Sequence, residues 1–294
     1  MSFKSVMTAS QNLTTSMEAL AALGAQLALR RQGAEPDPAV GELLARITTH
    51  IDPDGLAGLD AAQEAILLNY IRTFFRQALD LIENPVRPSG WTYEDPLILQ
   101  TIGQGSRLAV ERMNMLKSEY PAMERVLSGS GAFLDVGAGV GWLAIQAAMT
   151  WPQMRVTGLD IFEPALKLAA ANIAASGVAD RVEIRNQSID DLADEEAYCL
   201  AWLAGPFIPK QIIPNAVARI SKALKPGGVL VFGLFGAPPS ELGQALTELR
   251  IVRSGGHPWS FDEAEALVTE AGFEDVRHFA TGTPVNMVVG TKPG

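Results

Sequence analysis

Phe133-Leu134-Asp135-Val136-Gly137-Ala138-Gly139-Val140-Gly141-Trp142 is the stretch on which the reading of this chain turns. A short apolar run leads into three glycines at alternate positions, and an apolar helical segment follows. Glycines in such a loop let the backbone turn tightly and lie against a ligand. A helix starting after the loop aims its free amide groups and the positive end of its dipole at the same place. The spacing then discriminates between ligands. A dinucleotide loop needs G-x-G-x-x-G, and counted from Gly137 its third glycine falls on Trp142. A phosphate-binding P-loop is excluded too, because no Gly-Lys-Ser/Thr follows. What remains is G-x-G-x-G, preceded by Asp135 at the strand end.

Outward toward the C-terminus the rhythm alternates. Apolar runs at Ala132–Val136, Arg155–Leu159, Val182–Arg185, Tyr198–Leu203 and Val229–Leu234 read as buried strands. Trp142–Thr150, Pro164–Ser176 and Ile212–Leu224 read as the helices between them. Strand and helix in alternation predict a parallel sheet covered on both faces. The last two runs, Val276–Ala280 and Val285–Gly290, are joined by a Thr-Gly-Thr-Pro link. That link is too short for a parallel crossover, so those strands are expected to be antiparallel.

Outward toward the N-terminus the patterns are helical, and the chain changes character near Ser128–Gly131. Leu13, Met17, Leu20, Leu23 and Leu27 share one helix face, and so do Leu67, Ile71, Phe74, Ala78 and Leu81. A further helical stretch runs from about Asp95 to Val126, interrupted near Gly103 and Gly105. The expected division is a helical N-terminal domain over 1–127, serving as substrate cap and dimerisation surface, and a cofactor domain over 128–294. Ala19–Leu29 is as long as a signal-peptide core, but its positive charges, Arg30 and Arg31, follow the apolar run instead of preceding it. It reads as an amphipathic helix.

Composition narrows the partners. With 33 acidic against 23 basic residues the net charge is −10, which argues against nucleic acid, whose phosphates need clustered Lys and Arg. No polybasic segment suits an anionic membrane surface. One cysteine, Cys199, fits a reduced, cytoplasmic setting, and no Cys/His spacing suits a metal.

The second strand ends in Asp160, 19 residues beyond Gly141. A carboxylate there can accept both hydroxyls of a ribose. It can also serve the start of the next helix, where Pro164 sits in the first turn. Asp135–Gly141, Asp160, Leu224-Lys225-Pro226-Gly227-Gly228 and the segment Phe261–Phe273 together resemble the class I S-adenosylmethionine-dependent methyltransferases. The likeness covers about residues 130–292. It implies an α/β, Rossmann-like sheet of seven strands with the last antiparallel, and S-adenosylmethionine as cofactor. Carried over, Gly137, Ala138, Gly139 and Gly141 would line the cofactor, with Asp135 near its methionine amino group. Asp160 would hold the ribose, and Ile161 or Phe162 would cover the adenine. Ser188 and Ile189 fall beside the adenine amino group, where relatives often carry Asp instead of Ser188.

The acceptor site is expected over the carboxyl ends of the strands. Trp91, Trp202 and Phe207 would form apolar walls, His257 would line the site, and a lid would bring Tyr93 and Gln100 to the acceptor and Gln104 to the cofactor. Aromatic faces also attract a cationic sulfonium. His257, Glu163 and Tyr93 are the candidates for proton transfer. Each has a plainer alternative: His257 as a loop residue, Glu163 as a helix-terminus acid, the aromatics as core. The expected activity is methyl transfer to a small, hydrophobic metabolite of secondary metabolism, at oxygen before carbon or nitrogen. The competing readings are a non-catalytic binding module and a same-fold aminopropyl transferase, the latter disfavoured by the apolar Trp202–Phe207 loop. A nicotinamide-dependent oxidoreductase is disfavoured by the glycine spacing.

Overall fold

The structure, a computed structural model, describes residues 2–54, 56–281 and 285–294. The chain forms two compact units, Met1–Val86 and Arg87–Gly294.

The first unit holds α1 (Phe3–Gln32), α2 (Pro38–Ile51) and α3 (Ala61–Glu83). Ser2 caps the start of α1, and Gly33 ends it in the left-handed conformation that glycine adopts without a Cβ penalty. Asp60 and Gln63 close a capping box at the start of α3. Leu27, Leu56, Leu68 and Ile71 form the core, with Leu20, Leu23 and Phe75 against it. The expected stripe on α1 is therefore only half used, since Leu13 and Met17 are exposed. On α3 the inward face also differs from the expected one. Glu64, Leu68 and Ile71 are buried, whereas Phe74 and Leu81 are exposed. Arg30 pairs with the buried Glu64 at 2.7 Å, so a charge lies on the face that periodicity of apolar residues alone would miss.

The second unit opens with α4 (Pro96–Gly105), α5 (Arg107–Met115) and α6 (Pro121–Ser128). The compact units thus divide at 86/87, and not at the expected 127/128. The reason is packing: Ala109, Val110, Met113, Met123 and Leu127 belong to the same core as Phe133 and Leu200 of the sheet. The seven strands are β1 (Gly131–Val136), β2 (Met154–Asp160), β3 (Val182–Asn186), β4 (Tyr198–Ala204), β5 (Leu224–Phe235), β6 (Glu274–Phe279) and β7 (Val285–Thr291). Their order is β3-β2-β1-β4-β5-β7-β6, and β7 runs antiparallel to both its neighbours. Of the link between β6 and β7, Gly282, Thr283 and Pro284 lie outside the described residues.

The alternation expected of strands sorts the two cores. Phe133, Val156, Leu200, Trp202 and Val231 face α5, α6 and α7 (Trp142–Thr150). Leu134, Leu159, Leu203 and Phe232 face α9 (Ile213–Ala223) and α11 (Phe261–Glu270). In chain order α8 (Glu163–Ala175) follows β2, and α10 (Glu241–Arg253) follows β5. The Lys225–Gly228 turn is a break in register, with Tyr198 opposite Leu224 and Leu200 opposite Val229. After β3 the chain returns to place β4 beside β1. Loops leaving β1 and β4 diverge at such a reversal of order, which opens a crevice at the carboxyl ends of the strands.

Candidate functional site

The loop after β1 is built from backbone. The amides of Gly137 and Ala138 donate to the carbonyl of Leu159, at 2.9 and 3.0 Å. Gly137, Gly139 and Gly141 all have positive φ, at 83°, 54° and 80°. A Cβ on Gly137 would stand 3.2 Å from Ala204, and one on Gly141 would touch Ala169. At Gly139 it would meet only open space. That glycine therefore leaves room beside the loop, not room within the protein. Asp160, at the end of β2, accepts from the amide of Gly139 at 2.7 Å and from that of Phe162 at 2.8 Å. One carboxylate thus joins the two turns that follow β1 and β2. Next to it Ile161 is 69% exposed, an apolar side chain lying at the mouth of the loop.

Beneath the loop lies Asp135, fully buried, and among the described residues neither of its oxygens has a hydrogen-bond partner. Burial, and then the nearby Asp160, push its carboxyl up to about 8. Removing a carboxylate from water without a partner is costly, and the group holds its proton instead. A buried acid left so is a site prepared for a donor or a cation that the chain itself does not supply.

The loop after β4 is built from side chains. Gly205-Pro206-Phe207 forms a short 3-10 turn. A Cβ on Gly205 would fall 2.1 Å from the Phe232 ring, so glycine is needed there for packing. Phe207 stands edge-on to Trp91 at 5.6 Å and to Phe235, at the end of β5, at 5.3 Å. Trp91 stands edge-on to Tyr93 at 5.9 Å, and the Arg87 guanidinium lies 4.4 Å over the Tyr93 ring. These rings come from three separate segments and form one continuous apolar wall. Edge-to-face contacts of this kind hold ring angles firmly.

Residues 133–228 match the family model described as "Methyltransferase domain". These residues carry a methyltransferase domain. Over 156 residues it is 33% identical to the ubiquinone biosynthesis O-methyltransferase of Bordetella avium (strain 197N), covering 48% of this chain and 61% of that one. It is 32% identical over 130 residues to the ribosomal protein L11 methyltransferase of Shouchella clausii (strain KSM-K16), covering 37% and 41%. The chain thus spans less than two thirds of the length of these relatives, and their names differ in what is methylated. Human N-acetylserotonin methyltransferase, solved in complex with SAM, shares the fold at a TM-score of 0.64 and 17% identity, covering 98% of both chains.

Within the methyltransferase domain the expected residues divide. The glycine loop, Ala138, Asp135, Asp160 and Ile161 come together. Phe162 instead packs with Leu99, Val140 and Ala165, which leaves Ile161 as the exposed apolar side chain beside Asp160. Ser188 caps the short turn that follows β3, its hydroxyl accepting from the amide of Asp190 at 3.2 Å. The Ile189 side chain is core. Trp202 is buried against Gly233, where a Cβ would stand 2.2 Å from its ring, so it is core as well and not a wall. Glu163 is 70% exposed and pairs with Lys167 one turn on, at 3.0 Å, which makes it a helix-terminus acid. Gln104 is half-buried on α4. Gln100 spends both ends of its amide on Trp142 and Asn172.

His257 lies 3.0 Å from the Nζ of Lys210 and 3.4 Å from Glu263 by its Nε2, with its ring edge-on to Trp259. Glu263 also completes the capping box of α11, and its bond from Ser260 holds its carboxyl below the usual range. An ammonium directed at Nε2 uses the lone pair that a base would need. His257 therefore fastens the loop before α11, leaving Tyr93 as the proton-transfer candidate beside the aromatic wall. Phe235, Lys210 and Asn172 were not singled out from sequence. Phe235 closes an apolar strand run, and Asn172 is the lone polar residue in Ala169-Ala170-Ala171-Asn172-Ile173; both signals were present but unspecific.

Proposed function

We propose that this chain binds S-adenosylmethionine across the glycine loop, Asp135 and Asp160, and methylates a small, apolar acceptor, at oxygen in preference to nitrogen or carbon. The observation that carries the reading is the wall of Trp91, Tyr93, Phe207 and Phe235 beside the loop, at the carboxyl ends of β4 and β5. The cofactor half fits on two counts: a buried carboxyl without a partner, and a glycine whose missing Cβ leaves open space. The name of the Bordetella relative supports oxygen as the methylated atom.

Bound there, S-adenosylmethionine supplies a methyl group already activated by its sulfonium. The chain's own task is to hold the acceptor atom in line and keep water away, and positioning alone can supply much of the rate. Asp160 orients through its fixed carboxylate. Asp135, once ionised, would attract a cationic group of the ligand from a dry site, where opposite charges attract more strongly than in water. The rings present an apolar, rigid surface to the acceptor. Tyr93 is the proton-transfer candidate of this reading where the acceptor is a hydroxyl.

The same reading takes neither nucleic acid nor membrane as partner and places the activity in the cytoplasm. Among the described residues no helix is long and apolar enough to cross a membrane. It also includes a homodimer, supported by exposed Phe3, Val6, Met7, Leu13 and Met17 on the first half of α1. Incubation with methyl-labelled S-adenosylmethionine and a fractionated metabolite extract tests the function. Label in an organic-extractable small product is expected. Label confined to RNA or protein, or tight binding with no transfer, would replace this reading with a macromolecular methyltransferase or a binding module.

A further inference from the structure

Where α4 meets α8 and the glycine loop, a polar pair lies beside the apolar contact of Leu99 with Val140 and Ala165. Gln100 on α4 and Asn172 on α8 face each other through a reciprocal pair of amide bonds. Gln100 Nε2 donates to Asn172 Oδ1 at 2.9 Å, and Asn172 Nδ2 donates to Gln100 Oε1 at 3.1 Å. Two further bonds fix which way each amide points. The indole N–H of Trp142, which can only donate, reaches Gln100 Oε1 at 2.6 Å. The carbonyl of Val140, which can only accept, receives Asn172 Nδ2 at 2.8 Å. Neither amide can be reversed without placing like groups together.

Val140 lies between Gly139 and Gly141, two residues in the left-handed region. Its side chain is held too. It packs with Leu99 and Ala165, and a Cβ on Gly103 of α4 would stand 2.1 Å from its methyl. Two helices, α4 and α8, thus converge on one residue of the loop. The first helical residue after the loop, Trp142, is held by the same amide pair, with the Arg107 guanidinium 5.1 Å from its ring.

We infer that Gln100 and Asn172 are positioning residues for the cofactor loop: their amide pair grips the Val140 carbonyl and the Trp142 indole, and holds the Gly139–Gly141 turn open in its ligand-receiving shape. Trp91 packs on the same small cluster and also belongs to the aromatic wall. The pair therefore lies where the cofactor loop and the acceptor wall meet. The inference rests on the loop being the cofactor site.

The test measures binding of S-adenosylhomocysteine by calorimetry to the full chain and to Asn172→Ala, Gln100→Met and the double variant, with thermal melting alongside. Gln100→Met keeps the volume while removing all its bonds, so it remains informative if Asn172→Ala melts poorly. Each single change is expected to weaken binding by roughly tenfold, the scale of a lost buried hydrogen bond. The double variant is expected to be little worse than the worse single one, because the two act as a unit. Melting temperature lowered with affinity unchanged, in either folded variant, would make the pair structural only and overturn the inference. Failure of the unaltered chain to bind would instead overturn the cofactor reading itself.

Discussion

The turns that leave β1 and β4 are neighbours at the switch point of one sheet, yet they are made in opposite ways. After β1, backbone does the work: three left-handed glycines, amides donating to Leu159 and Asp160, and one dry carboxyl beneath. After β4, side chains do it: Phe207 meets Trp91 from a segment more than a hundred residues earlier and Phe235 from the next strand. A backbone-built site recognises what its ligands share and tolerates little change in its own residues. A side-chain-built site can be rewritten one ring at a time. This difference is consistent with relatives whose names give unlike acceptors.

The sharpest way to break the comparison is at Gly139. A valine there would adopt a left-handed φ that β-branched residues avoid, and would fill the open space beside the loop. Affinity for S-adenosylhomocysteine should fall by at least ~100-fold, since strain and exclusion act together. Binding within a few-fold of the unaltered chain would mean that the ligand lies elsewhere.

Asp135 offers the next largest effect and a pH signature. Between about pH 4, the ordinary carboxylate value, and about 8 the folded chain keeps a proton on Asp135 that the unfolded chain has lost. Ligand-free stability should therefore fall as pH rises through that window. Binding a cation beside it must release that proton, so affinity should rise from pH 6 to pH 8, and calorimetry in buffers of different ionisation heat should detect proton release. Asp135→Asn should abolish both trends. A Kd independent of pH in the unaltered chain would show that Asp135 does not meet the ligand's charge.

A smaller effect, confined to the second turn, is expected from Phe207→Ala. The apparent KM for the acceptor should rise by about tenfold, as a lost aromatic contact implies, while cofactor affinity stays the same. A matching loss of cofactor affinity would mean the two turns are not separable. Glu163→Gln, on the exposed ion pair with Lys167, should change neither.

Much of the fold was legible because it depends on local patterns. The strand runs, the glycine loop and the short link before β7 are all statements about neighbouring residues. The aromatic wall was only partly legible. Trp91 and Phe207 were named, but Trp202 lies on the same strand-and-turn segment and turned out to be core. A period of two says that alternate residues face opposite ways, not which face a helix will later cover. Gln100 and Glu163 look alike in sequence as polar residues near the loop. One is consumed by an amide pair and the other by solvent and Lys167, and that depends on α4, α7 and α8 meeting.

The sequence by itself determined the doubly covered sheet and the glycine loop with its two acids. Each follows from backbone freedom or from side-chain periodicity, which act over a few residues. Only the tertiary structure decided that α4 to α6 belong with the sheet, that Asp135 is dry and without a partner among the described residues, and that Phe235 completes the aromatic wall. Burial and partnership arise between distant segments, and no local pattern carries them.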